Sequence, residues 1–244
     1  MVNILPEKNS AFRVYAIITA AGSGSRMKSS INKQYIELMG IPVLARTIMA
    51  FQNCDKVDGI IIVINEKDII YCKKNIIDKY NLCKVKKIVA GGAERQISVF
   101  NGLKSIQEDE CDVVLIHDGA RPFIGNKHIE ACIDAVFETG ACGVGVKVKD
   151  TLKIADENNF VSHTPDRSKL WSIQTPQAFF YPAIMEAHQA AADEGFVGTD
   201  DLMLVERMGT RAKIVEGSYI NIKITTPEDM IFGEAILNNQ AKSY

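Results

Sequence analysis

A three-layer α/β sandwich with a mostly parallel central sheet is the fold this sequence predicts. Three observations point there. Short apolar, β-branched runs recur along the chain, and they are continuous rather than alternating, as in strands covered on both faces. Stretches with helical spacing separate them. Glycine-rich or polar turns follow several runs at once, where a parallel sheet carries its ligand loops.

The elements follow in order. Val14–Thr19 is the first apolar run and ends in Ala20-Ala21-Gly22-Ser23-Gly24. Pro42 is placed to start a helix with Leu44, Ile48 and Phe51 on one face. Gly59–Ile64 and Val85–Ala90 read as the next strands, the latter ending in Gly91-Gly92, and Glu94 to Ile106 reads as a helix. Val113–Ile116 is a fourth strand, ending in His117-Asp118-Gly119-Ala120-Arg121-Pro122. A helix over Asn126 to Glu138 and a fifth strand over Gly143–Val146 come next. Thr226-Pro227-Glu228-Asp229 supplies an N-cap, a first-turn proline and acids, which predicts a last helix over Pro227–Leu237.

One stretch breaks the rhythm. Residues 147–171 are polar and alternate, with Asp156-Glu157-Asn158-Asn159 as a turn, so a two-stranded hairpin is expected. A hairpin arm projecting from a compact domain is a candidate dimer contact; the alternative is an ordinary surface hairpin. The whole chain, 1–244, is expected to form one domain with this arm within it.

Composition narrows the function classes. A formal charge of −2 gives no global reason to expect nucleic acid or an anionic membrane as partner. The longest apolar runs, Ala16–Ala21 and Ile60–Ile64, are too short to span a bilayer, and Met1 to Arg13 lacks the order of a signal peptide. The 6 cysteines form no CxxC pair and have no histidine at ligand spacing. They read as reduced thiols, mostly buried, which predicts a cytoplasmic protein.

The chemistry should gather at the strand ends. In Ala20-Ala21-Gly22-Ser23-Gly24-Ser25-Arg26-Met27, glycines let backbone N–H groups turn toward an anion, with Arg26, Lys28 and then Lys33 adding charge. Three readings compete. A dinucleotide fingerprint needs glycine at position 27, which is Met. A P-loop over Gly22 to Ser29 fails at the same Met27, although Val113–Asp118 resembles a Walker-B strand. The third is a nucleotidyltransferase loop, with the triphosphate laid on backbone amides and Arg26 and Lys33 on the reacting phosphate.

Gly91-Gly92-Ala93-Glu94-Arg95-Gln96-Ile97-Ser98 admits two readings. Close approach by a flat pyrimidine, with Ser98 offering its hydroxyl, is one; a tight turn needing positive φ is the other. Asp118, at a strand end, suits Mg²⁺ or substrate hydroxyls. His117 reads as structural rather than catalytic. Asn221-Ile222-Lys223 places a lysine in a predicted strand, as an edge solubiliser or as an anion hook.

Eight motifs in order then resemble one family. They are Ala20-Ala21-Gly22-x-Gly24-x-Arg26-Met27, Lys33-Gln34-Tyr35, Gly91-Gly92-x-Glu94-Arg95-x-x-Ser98, Asp118-x-Ala120-Arg121-Pro122, Asp150-Thr151, Asp166-Arg167-x-x-Leu170-Trp171, Thr175-Pro176-Gln177 and Asn221-Ile222-Lys223. Together they resemble the 2-C-methyl-D-erythritol 4-phosphate cytidylyltransferases of the non-mevalonate isoprenoid pathway, over about Val14 to Leu237. The resemblance implies a Rossmann-like nucleotidyltransferase fold, CTP and a polyol phosphate as substrates, Mg²⁺, and a homodimer joined by β-arms with shared active sites.

It implies roles as well. Arg26 and Lys33 would stabilise the transition state; Arg167 and Lys223 would position the substrate phosphate; Thr151, Asp118 and Arg121 would line the polyol site. Ala20, Ala21, Gly22, Gly24, Gly91, Gly92, Ala93, Arg95, Ser98 and Asp118 would bind CTP, with Asp118 also the metal residue. Asn32 and Ala93 depart from the family's usual Pro and Asp. Ribitol-5-phosphate cytidylyltransferase is the nearest rival; it usually reads Leu-Ala-Gly-Gly and Asp-Ser-Val-Arg-Pro where this chain has Ala20-Ala21-Gly22 and Asp118-Gly119-Ala120-Arg121. A non-catalytic nucleotide sensor on the same fold is the reading from another class.

Overall fold

The chain's apolar runs become strands because β-branched residues pack well on a pleated surface covered from both sides. The structure, a computed structural model, describes residues 12–22 and 33–241. In chain order the first elements are β1 (Val14–Thr19), the short hairpin β2 (Glu37–Leu38) and β3 (Ile41–Pro42), α1 (Val43–Gln52) and β4 (Gly59–Ile64). Next come α2 (Ile69–Cys72), running on as a π-helical turn, β5 (Val85–Ala90), α3 (Arg95–Lys104), β6 (Val113–Asp118), α4 (Asn126–Thr139) and β7 (Ala141–Lys147). The arm follows as β8 (Ile154–Ala155) and β9 (Val161–His163). The chain ends with β10 (Trp171–Phe180), α5 (Tyr181–Asp193), α6 (Asp201–Arg207), β11 (Lys213–Glu216) and α7 (Pro227–Ala241).

Seven strands form one sheet in the order β11-β7-β10-β6-β1-β4-β5. All neighbours pair parallel except β10, which runs against both β6 and β7. Alternate strand residues feed opposite faces. Ala16, Ile18, Ile60, Ile62 and Leu115 pack with Leu44, Ile48 and Phe51 of α1 and with Ile129 and Val136 of α4. Ile17, Ile61, Val63, Val114 and Ile116 pack with Val99 and Leu103 of α3, Ile184 of α5 and Leu202 of α6. Helices therefore cover both faces, which is the predicted three-layer sandwich. Truncating one of these isoleucines to alanine would cost about 2–5 kcal/mol.

Several details differ from the sequence reading. β6 runs on through His117 and Asp118, and β7 starts two residues early, at Ala141. β5 is an edge strand, half open to solvent at Lys86 and Lys87, rather than covered on both faces. Pro42 caps α1 from outside instead of opening it. β10 is the largest omission. Its Pro176 has no N–H to give, and the ladder to β7 shifts between Ile173 and Gln177, so a proline hides a central strand. The expected strand at Lys223 is absent: residues 221–225 have no regular secondary structure, and the Ile224 N–H bonds to the Ala120 carbonyl at 2.8 Å.

Residues 151–164 are exposed throughout, and the arm stands as a separate two-stranded sheet turning at Asp156 to Asn159. Among the described residues no helix is long and apolar enough to cross a membrane. All 6 cysteines are free, and every one but Cys83 is buried.

Candidate active site

Four strand ends, those of β1, β4, β5 and β6, meet at one crest. Backbone bonds tie them together: Ala20 N–H to Val63 O at 2.7 Å, Gly91 N–H to Ile64 O at 2.7 Å, and Gly119 N–H to Thr19 O at 2.8 Å. The cleft above is lined by Ala20, Ala21, Gly22, Gln34, Gly92, Ala93, Arg95, Ser98, Asp118 and Lys223. Residues just over 200 positions apart in sequence, Ala20 and Lys223, thus face one space at the carboxyl ends of the strands.

Neither Gly91 nor Gly92 has a positive φ. Their smallness answers a packing need instead. A Cβ at Gly91 would stand 2.4 Å from the Ala21 Cβ, and one at Gly92 would stand 2.2 Å from Ile97 Cγ2. Gly91 thus lets its loop close on the Ala21 side chain and Gly92 makes room for Ile97, and without positive φ the tight-turn reading of this pair does not hold. Ser98 braces the loop: its hydroxyl accepts the Gly92 N–H at 3.0 Å and donates to the Glu94 carbonyl at 3.0 Å.

Asp118 is the electrostatic centre. Oδ2 lies 2.7 Å from Lys223 Nζ and 3.7 Å from Arg121 Nε, and Oδ1 lies 3.2 Å from Arg95 Nε. Burial alone would raise its pKa, but the charges of Arg95, Lys223 and Arg121 outweigh it and hold the carboxyl well below its ordinary range. Arg121 is not a lining residue; its Nη1 donates to the Asn221 carbonyl at 2.9 Å and so ties down the segment that carries Lys223.

Below the crest the supports are polar and hydrogen-bonded to one another, although Asn221 Oδ1 has no hydrogen-bond partner. His117 is fully buried, with Nε2 3.0 Å from the Arg121 carbonyl and Nδ1 3.0 Å from Thr175 Oγ1. Burial pushes its pKa down to about 4, so it stays neutral near pH 7, as a structural group should. Thr175 also accepts the Asp118 N–H at 3.1 Å. Asn221 is buried and donates to Gln174 Oε1 and the Thr175 carbonyl, at 3.1 and 3.0 Å. The Thr175-Pro176-Gln177 and Asn221-Ile222-Lys223 motifs are therefore one brace: β10 holds the segment, and the segment presents Lys223.

Two residues escaped the sequence reading. Asp201 Oδ2 lies 2.7 Å from Arg95 Nη1, and its Oδ1 lies 3.2 Å from His188 Nε2. The signal available was Thr199-Asp200-Asp201, an N-cap followed by a first-turn acid. Gly24 and Arg26 lie outside the described residues. Lys33 opens a short turn, Lys33–Tyr35, but its side chain also lies outside the description. Thr151 and Arg167 are exposed on and after the arm, and neither lines this chain's cleft; Arg167 Nη1 donates to the Lys149 carbonyl at 2.8 Å.

A single carboxylate already shared by cations is a poor cage for a metal. Among the described residues no three His, Cys, Asp or Glu side chains cluster as ligands. The donors suit a hard cation only if phosphate oxygens supply most of its ligands, with Asp118 at most one.

Comparison with known proteins agrees with this geometry. Residues 14–239 match the family model for 2-C-methyl-D-erythritol 4-phosphate cytidylyltransferase. A protein of that description from Caldanaerobacter subterraneus subsp. tengcongensis is 50% identical, covering 92% of this chain and 98% of its own. Another, from Geobacter metallireducens, is 48% identical over 93% of this chain and 98% of its own. Among solved structures, 4-diphosphocytidyl-2C-methyl-D-erythritol synthase of Anaerococcus prevotii superimposes with a TM-score of 0.83 at 38% identity, covering 93% of this chain and 97% of that one.

Proposed function

The chain belongs to the 2-C-methyl-D-erythritol 4-phosphate cytidylyltransferase family, and from that premise we propose how its residues divide the reaction. The enzyme transfers CMP from CTP to 2-C-methyl-D-erythritol 4-phosphate, giving 4-diphosphocytidyl-2-C-methyl-D-erythritol and pyrophosphate. A phosphate oxygen of the polyol attacks the α-phosphorus in line, and the bond to the β-phosphate breaks. Little acid–base chemistry is needed, so catalysis is positioning and charge stabilisation. One observation carries this division of labour: Asp118 sits at the crest between Arg95 and Lys223, beside the Ala20–Gly22 turn.

In this reading Ala20, Ala21, Gly22, Gly24, Gly91, Gly92, Ala93, Arg95, Ser98 and Asp118 hold CTP. Ala93 uses its backbone, so the loss of an acidic side chain there is tolerated. Arg26 and Lys33 stabilise charge on the α-phosphate. Lys223 and Arg167 grip the substrate phosphate, and Thr151, Asp118 and Arg121 orient the polyol. Asp118 would be the protein ligand of an Mg²⁺ held mainly by the triphosphate, an ion that would supply charge screening between the two anions.

Arg167 and Thr151 lie off their own chain's cleft, on an arm fully open to solvent. That supports a homodimer in which each arm completes the partner's site. Free, mostly buried thiols support a cytoplasmic location. The test is a pyrophosphate-release assay with CTP and Mg²⁺, offering methylerythritol phosphate and ribitol phosphate in parallel. Turnover with the first alone is expected. Preference for ribitol phosphate would move the chain to the rival activity, and binding of CTP without release would make it a sensor.

A further inference from the structure

The corner where α5 meets α6 holds a carboxylate that the reaction above does not use. Asp201 is 1% exposed. A buried carboxylate is costly unless it is paired, so its partners show what it is for. Capping α6 is not its task, because Asp200 already does that, accepting the Met203 N–H at 3.0 Å. Asp201 instead turns inward. One oxygen takes Arg95 Nη1 at 2.7 Å and the other faces His188 Nε2 at 3.2 Å.

Arg95 is the first residue of α3, where the helix dipole opposes a cation. Nothing in the fold of α3 asks for arginine there. The guanidinium is held because two carboxylates divide it, with Nη1 on Asp201 and Nε on Asp118 at 3.2 Å. A planar fork left with one carboxylate tends to pair with it through both nitrogens. Asp201 therefore draws one edge of the fork away and leaves Asp118 Oδ2 to Lys223 at 2.7 Å.

The corner is itself gripped so that this pull is fixed. Gln177 Oε1 accepts the N–H groups of Asp201 and Leu202, each at 3.1 Å. Gln96, next to Arg95, donates to the Phe196 carbonyl at 2.9 Å and accepts the Gly198 N–H at 2.9 Å. The His188 ring stacks on Phe100 of α3, with centroids 5.6 Å apart. We infer that Asp201 is a positioning residue for CMP transfer, acting through Arg95 to keep Asp118 shared between Arg95 and Lys223. The inference rests on the assignment of the crest as the transfer site.

The experiment is a double-mutant cycle on CMP transfer from CTP to methylerythritol phosphate, using full-length D201N, R95A and the double variant, with melting temperatures recorded beside kinetics. D201N adds net positive charge to the cleft while misplacing the fork. Its kcat should fall about 10- to 100-fold, with a rise in KM for CTP because Arg95 also holds that substrate. A merely structural lesion would cost the same factor whether or not Arg95 is present. In the R95A background D201N should cost less than about twofold more, since its route of action is gone. Unchanged kcat in D201N, or losses that multiply in the double variant, would overturn the inference. If D201N does not fold, D201E keeps the charge but moves the carboxylate by one methylene; wild-type kcat in D201E would then overturn it. Failure of the wild-type enzyme to transfer CMP would refute the functional reading instead, so the two failures are distinguishable.

Discussion

The crest of β6 and the hairpin arm both carry residues proposed above to serve CMP transfer, but they are held in opposite ways. At the crest, contacts join positions far apart in sequence: Arg95 with Asp201, Arg121 with Asn221, His117 with Thr175. These groups are buried or half-buried, and each bond is enforced by the packing of the sheet. In the arm the bonds are short-range. Asp156 Oδ1 accepts the N–H groups of Asn158 and Phe160, both at 2.9 Å, and Lys153 Nζ reaches Thr164 at 2.7 Å. Its apolar side chains have no core; Phe160 is 72% exposed. At the crest one chain supplies both partners of each of these contacts, whereas the arm's apolar side chains meet no core of their own chain.

The sharpest way to break that contrast is to ask which chain the arm serves. K33A and R167A should each be nearly inactive, with losses of about 10²–10³ in kcat or more for the first. If arms cross between subunits, a mixed dimer has one site with both lesions and one with none. Random exchange at equal amounts makes half the dimers mixed, so about a quarter of wild-type activity should return. No recovery despite proven subunit exchange would place Arg167 in its own chain's site and end the comparison as drawn.

The next largest effect tests the crest alone. D118N removes the charge that three cations share, so kcat should fall about 10²–10³-fold and the fold should lose roughly 1–3 kcal/mol. Its charges titrate only in acid. The folded pKa is depressed, so the stability it gives is complete above the unfolded value near 3.9 and is lost as pH falls through the lower, folded one. A mutant with wild-type kcat would mean that the crest pairing is incidental to the chemistry.

His117 sharpens the picture at milder pH. Its folded pKa of about 4 lies below the ordinary histidine value of 6.5, so the unfolded chain binds the extra proton between them. Stability is complete above pH 6.5 and drops as pH falls toward 4, by up to about 3 kcal/mol from this group. Burial lowers His128 as well, so the slope is shared. In H117Q the fall in melting temperature from pH 6.5 to 4 should be visibly shallower than in wild type. An identical slope would mean that the crest is not dry around His117.

How much of this was legible in the sequence also divides along the same line. The strands β1, β4 and β6 could be read because continuous β-branched runs have few other folds. The arm could be read because its turn is local. The crest could be located from its motifs, yet its wiring could not. Asp201 looks like an ordinary helix-start acid until α5 and α6 fold over α3, and Lys223 looked like a strand residue because apolar neighbours flank it. β10 was hidden by its own Pro176. Such contacts are set by tertiary packing, which local propensity does not encode.

The smallest expected effect concerns the arm's exposed face. Phe160 touches no core, so F160S should change the unfolding free energy of the dilute, dissociated chain by no more than about 0.5 kcal/mol. The same replacement at Phe179, fully buried beneath α5, would cost about 3–5 kcal/mol. Self-association should respond differently. A symmetric dimer carries two copies of Phe160, and burying each against its partner contributes on the order of 2 kcal/mol, so losing both should weaken a dimer about 10³-fold. Sedimentation across a dilution series reads that shift, and melting curves over the same series read the fold. Activity per chain should then fall on dilution sooner in F160S than in wild type, because each arm leaves the neighbouring site as the dimer parts. A loss of melting temperature that is equal at every concentration would show that Phe160 packs within its own chain, and the arm would then be an ordinary surface hairpin.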